Sequence, residues 1–119
     1  MRPFLGLNVE MEELRKFYLE LGKGVCFSTK SPGKATKNED SYGFWGKGQE
    51  CLFAVADGLG GHCSGEKASS LAISYLYRGI LKEEVNRDFL VMKNIERANR
   101  KLRRMKGDLG TTLTASAVL

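Results

Sequence analysis

One stretch limits what this chain can become. Residues 52–62 read Leu-Phe-Ala-Val-Ala-Asp-Gly-Leu-Gly-Gly-His. Leu52 to Ala56 is a short apolar run of the kind a buried strand needs. It runs into Asp57 and then into three glycines in four positions. A carboxylate at the end of a buried strand is costly unless something pairs with it. A second acidic cluster, Asn38-Glu39-Asp40-Ser41, lies a short way upstream. Carboxylates that converge suit a hard divalent cation, and Mg²⁺ and Mn²⁺ prefer oxygen ligands. The glycines let a backbone or a small ligand come close where a Cβ would block it.

The rest of the chain is read around that stretch. Residues 1–10 have no clear periodicity. In residues 11–21, Leu14, Phe17, Tyr18 and Leu21 recur at helical spacing, which predicts an amphipathic helix with Gly22 as its stop. Lys23 to Thr29 half-alternates and predicts a strand, broken by Ser31-Pro32-Gly33. Ser41 to Trp45 predicts a second strand, residues 46–50 a hairpin turn, and Cys51 to Ala56 a third strand. Antiparallel pairing of the last two brings Asp40 and Asp57 to one end of the sheet. Ser64 is a candidate N-cap for a helix over 65–81, and a second helix is predicted from about Asp88 to Lys106. Gly110 to Leu119 reads as a strand.

Composition narrows the class. The 119 residues suit one domain, and 42% hydrophobic with 28% charged is ordinary for a folded chain. No apolar run is long enough to span a membrane, and the N-terminus does not resemble a signal peptide, so a cytoplasmic protein without a membrane partner is expected. Cys26, Cys51 and Cys63 lack CxxC spacing and read as reduced thiols rather than a disulfide or zinc framework. Arg97, Arg100, Lys101, Arg103, Arg104 and Lys106 crowd six cations into ten positions, and without them the net charge of +5 becomes −1. Arg97, Arg100, Lys101 and Arg104 fall opposite Ala98, Leu102 and Met105, as a solvated helix face would, so a nucleic-acid partner is not expected.

Four pieces occur in order: Asn38-Glu39-Asp40-Ser41, Val55-Ala56-Asp57-Gly58-Leu59-Gly60-Gly61-His62, Gly65-Glu66-Lys67-Ala68-Ser69 and Gly110-Thr111-Thr112-Leu113. Together they resemble the first half of a bacterial-type, metal-dependent serine/threonine protein phosphatase of the 2C class. The resemblance covers about residues 23–119 and leaves residues 1–22 as an N-terminal extension bearing the amphipathic helix. It implies an α+β fold, an antiparallel β-sandwich flanked by helices, present here as roughly its first half. It also implies two Mn²⁺ or Mg²⁺ ions. Asp57 would bridge them, the Gly58 carbonyl would bind one, and Glu39 and Asp40 would hold metal-bound water or support the ligands. The reaction implied is hydrolysis of phosphoserine or phosphothreonine in a protein substrate by metal-activated water.

This sequence departs from the family at two places. The position of the family's phosphate-binding arginine is Ala35, leaving Lys34 and Lys37 as weaker stand-ins, since an ammonium is not a bidentate guanidinium. The two later metal-binding aspartates of the family have no counterpart in these 119 residues. The chain is therefore expected to bind metal weakly, and to be inactive as a fragment unless self-association or a complementing half completes the site. A non-catalytic, phosphatase-like interaction module is the alternative. Two other glycine motifs fall short. Cys63 stands where GxGxxG needs its third glycine, and Glu66 interrupts the GxxxxGK[ST] spacing from Gly60. His62, the sole histidine, is not at the place that directly follows the Asp-Gly pair, which Leu59 holds, and reads as structural.

Overall fold

The computed structural model describes residues 2–33, 37–60 and 64–119. Among these residues, seven strands and two helices form an α+β architecture with antiparallel sheets. Strand β5 (Glu50–Gly60) is the spine of a five-stranded sheet. On one side it pairs with β4 (Asp40–Lys47), which pairs with β1 (Phe4–Leu7). Along its other edge lie β7 (Thr114–Val118) and then β6 (Leu109–Thr111). The expected β4–β5 hairpin is present, closed by a two-residue turn at Gly48-Gln49 between Lys47 and Glu50. Gly48 has φ +59°, a conformation that such tight turns demand and that glycine adopts without strain.

Alternation sorts the side chains of β4 and β5. One face carries Trp45, Leu52, Ala54 and Ala56, all buried, against Ile73, Leu76, Tyr77 and Ile80. Those come from helix α1 (Ser64–Leu76) and the turns that follow it. Each fully buried Leu or Ile there contributes about 1.5–3 kcal/mol. Helix α2 (Arg87–Arg104) packs on α1 and adds Leu90, Val91 and Ile95 to the same core. Its first residue fastens three pieces: Arg87 Nε donates to the Ile80 carbonyl (3.2 Å), its Nη1 pairs with Glu50 (2.6 Å), and its guanidinium lies over Trp45. Asn94, fully buried on α2, donates to the carbonyls of Leu76 and Arg78, both 2.9 Å away. It thereby satisfies carbonyls that the end of α1 leaves open.

Several sequence expectations are corrected. Residues 11–21 do not form a helix. They run into a β-hairpin of β2 (Arg15–Leu19) and β3 (Gly22–Cys26). The residues that would have lined a helix face are mostly exposed: Leu14 at 59%, Tyr18 at 68% and Leu21 at 43%. Phe17 decides the matter. Its ring stacks on Phe44 (centroids 4.1 Å apart) and meets Phe53 (5.5 Å) on the sheet face opposite the helices. Gly24, its cross-strand partner, has no Cβ and so leaves room for that ring. A helix this short has little stability of its own, so tertiary stacking wins. The opening residues hold a strand, β1, that periodicity did not reveal. Helix α1 stops at Leu76 rather than running to 81, with Gly79 at φ +76° in the turn beyond. Helix α2 ends at Arg104 and is capped by Asn86, whose side chain accepts from Phe89 N. The single strand expected over 110–119 is two strands, broken at Thr112-Leu113. Among the described residues no helix is long and apolar enough to cross a membrane.

Two buried phenols link the fold to pH. Tyr77 donates to the Leu52 carbonyl (3.1 Å), and burial pushes its pKa far up. Tyr42 is pushed up to about 12 by burial and by Cys26. In the unfolded chain both ionise near 10. Folding therefore holds protons that the unfolded chain releases, so stability is complete below about pH 10 and falls as pH rises beyond it. Urea denaturation of Tyr77→Phe followed by circular dichroism should show a loss of about 1 kcal/mol at pH 7. Between pH 10 and 12 its stability should fall less steeply than that of the parent.

Candidate functional site

The register of the hairpin sets the site. Asp40 and Asp57 are direct cross-strand partners at the end of the β4–β5 ladder. Residues so paired in an antiparallel ladder project to the same face. Both line a cavity of about 340 Å³, with Phe27, Ser28, Thr29, Tyr42 and Thr112 among its other walls. The expectation that the two aspartates meet at one sheet end holds.

Each aspartate has its backbone pinned. Asp57 N–H donates to Thr112 Oγ1 (3.1 Å), and Thr112 N–H donates back to the Asp57 carbonyl (3.0 Å). The GTTL segment thus contributes a clamp at the strand break. Asp40 N–H donates to Asn38 Oδ1 (3.0 Å), while Asn38 Nδ2 donates to the Val9 carbonyl (2.7 Å) and to Ser28 Oγ (2.8 Å). Asn38 is 2% exposed, so these bonds replace water it cannot reach. The Asp40 carbonyl accepts from Asn8 N–H (3.1 Å), and Asn8 Nδ2 also donates to Ser69 Oγ (3.1 Å). Asn8 is the sole described non-glycine residue with positive φ, at +55°. Asparagine tolerates that conformation better than most residues. Asn8 was not singled out in the sequence, and Ser69 appeared only as the last residue of the Gly65–Ser69 piece. The available signal for Asn8 was an asparagine directly after the run Phe4-Leu5-Gly6-Leu7.

The other site residues lie elsewhere. Glu39 precedes Asp40 and projects to the opposite, helix-bearing face, where its carboxylate lies against Gly65 in the first turn of α1. A helix N-terminus favours negative charge. Its carbonyl accepts from Gly58 N–H at 3.1 Å. Lys37 is directed to Glu66 at 4.0 Å, with its side chain 76% exposed. Lys34, Ala35, His62 and Cys63 lie outside the described residues. Among the described residues, no group of three or more His, Cys, Asp or Glu side chains is gathered as a metal ligand set.

Two motif glycines are explained by packing. A Cβ on Gly58 would overlap the Gly65 carbonyl and stand 2.8 Å from that of Glu39. A Cβ on Gly65 would overlap the Glu39 carboxylate and stand 2.9 Å from the Gly58 carbonyl carbon. Strand β5 and the start of α1 therefore touch backbone to backbone, directly beside Asp57. Comparison with protein-family profiles, with curated proteins and with solved structures found no match.

The close contact yields a prediction. Gly58→Ala should destabilise the fold by about 3 kcal/mol, because backbone on both sides has to move. Urea denaturation followed by circular dichroism measures this. Ala56→Gly, two residues earlier on the same strand, creates no such overlap and should cost clearly less.

Proposed function

We propose that this chain carries the first half of a metal-dependent serine/threonine protein phosphatase site of the 2C class. On this reading, the β2–β3 hairpin facing the larger sheet begins the second layer of a 2C-like sandwich. The observation that carries the proposal is the cross-strand pair Asp40–Asp57, opening together on one cavity. The donor set fits the group. Two carboxylates are hard oxygen ligands, and Mg²⁺-type sites commonly use one or two carboxylates, water and the substrate phosphate. The cavity also has room for a phosphate monoester beside them.

Asp57 and Asp40 would hold Mn²⁺ or Mg²⁺, with the Gly58 carbonyl as a further oxygen donor. A divalent cation there supplies a water of lowered pKa and neutralises phosphate charge. The chain's own contribution is positioning. Thr112 fixes the Asp57 backbone and Asn38 fixes that of Asp40, so both carboxylates start from defined places. Glu39 acts from the other face, joining β4, β5 and the start of α1. Lys37 attracts a phosphoserine or phosphothreonine protein substrate at longer range, as a cation already shared with Glu66. With two carboxylates on the cavity, metal affinity is expected to be weak.

A second reading, the phosphatase-like interaction module, is favoured by a different observation. Between the β2–β3 hairpin and the sheet lies an apolar cavity of about 490 Å³. Val25, Val55 and Val118 line it and are each more than half exposed. Such a surface suits self-association or a complementing half.

The test is p-nitrophenyl phosphate hydrolysis by the purified chain with and without Mn²⁺, together with calorimetric titration of Mn²⁺. Where self-association completes the site, the phosphatase reading expects hydrolysis that requires Mn²⁺ and drops at least about a hundredfold in Asp57→Asn. A folded chain that neither binds Mn²⁺ nor hydrolyses the ester would leave the interaction module.

A further inference from the structure

We propose that the outer face of the second half of α2 is a docking surface for a short acidic peptide segment. Arg97, Arg100, Lys101, Arg103, Arg104 and Lys106 are all exposed. None of them forms an ion pair with a carboxylate among the described residues. A solvated helix face usually intersperses the two signs, gaining a few tenths of a kcal/mol per opposite pair three or four residues apart. Here positions 97, 100, 101 and 104 place like charges at that spacing, which costs similar amounts. The helix dipole compensates cations only in the last turn, which holds Lys101, Arg103 and Arg104. It does nothing for Arg97 and Arg100. Charge complementarity with an anionic partner accounts for all six.

The size and surroundings of the block select the partner. From Arg97 to Arg104 the helix rises about 10 Å. Exposed Glu96 separates the block from Lys93 one turn earlier, and exposed Asp108 follows it, so the continuous positive track is short. A nucleic acid would need a longer continuous track to neutralise several phosphates. An extended peptide rises about 3.3 Å per residue, so three or four acidic residues match the block. Four of the six cations are arginines, whose planar fork binds carboxylates with two bonds. Towards the N-terminus the same outer face carries Phe89 and Met92, each 62% exposed, where an apolar side chain of the peptide would rest. None of these residues lines the cavity of Asp40 and Asp57, so this proposal is independent of the phosphatase reading.

Fluorescence anisotropy of a labelled peptide, phenylalanine followed by roughly four glutamates, tests it on the full chain. A glutamine counterpart and a short single-stranded DNA serve as competitors. The acidic peptide should bind at least about tenfold more tightly than its glutamine counterpart, and added salt should weaken it. The triple variant Arg97→Gln/Arg100→Gln/Arg104→Gln keeps good helix formers and should lose at least about tenfold. Arg2→Gln/Lys16→Gln/Lys23→Gln, with the same charge change on β2, β3 and the segment before β1, should keep the affinity. Circular dichroism confirms that both variants fold. Equal affinity for the glutamine peptide, equal loss in the two variants, or tighter binding of the DNA would each overturn the proposal.

Discussion

The fold depends on the register of one hairpin. From Lys47↔Glu50 to Asp40↔Asp57, eight cross-strand pairs of β4 and β5 settle which side chains enter the core. Side chains alternate along a strand, so a slip of one residue exchanges the faces. Were β5 to slip, Leu52, Ala54 and Ala56 would leave the helix layer, and Asp57 would turn towards it. The same register that buries the core therefore also brings the two aspartates together on the opposite face. Core and candidate site are two readings of a single alignment, fixed by the tight turn at Gly48-Gln49.

The far end of that hairpin is held by polar contacts rather than by apolar packing. Asn38 reaches Val9 and Ser28, Asn8 reaches Ser69 and the Asp40 carbonyl, and Thr112 clasps Asp57. Ser41 and Ser69 are within hydrogen-bond distance of each other (3.2 Å) beneath them. Two carboxylates cannot be wrapped in hydrocarbon without penalising their charge. Hydrogen bonds to backbone atoms give position without that cost. The Gly58–Gly65 contact adds a rigid floor, since two backbones meet there with no side chain between them.

What could be read from the sequence follows from how local each determinant is. Strands β4 and β5 and their turn were legible because apolar runs flank a glycine-containing turn. Helix α2 was legible because Ile95, Ala98, Leu102 and Met105 repeat at helical spacing. The meeting of Asp40 and Asp57 followed from the hairpin alone. Strand β3 was anticipated over Lys23 to Thr29, but β2 was misread because Phe17 and its neighbours satisfy a helical repeat and an alternating one. The choice between them lies in Phe44 and Phe53, far along the chain. The roles of Asn8 and Asn94 are equally non-local, since each bonds to carbonyls of elements that the chain reaches only after folding. Glu39 and Asp40 looked like one acidic pair in sequence. The pleat of the strand sends them to opposite faces.

Trp45 offers an experimental handle of a different kind. It is the only tryptophan, fully buried among α1 residues, with Arg87 at the head of α2 over its ring. Its indole N–H meets no acceptor among the described residues. The β2–β3 hairpin contributes Phe17 and Tyr18 but no indole. Intrinsic emission excited selectively at the indole band therefore reports on the helix side of the sheet, and quenching by acrylamide reports its opening. The aromatic stack of the hairpin remains silent in that channel, so detachment of one layer can be timed separately from detachment of the other.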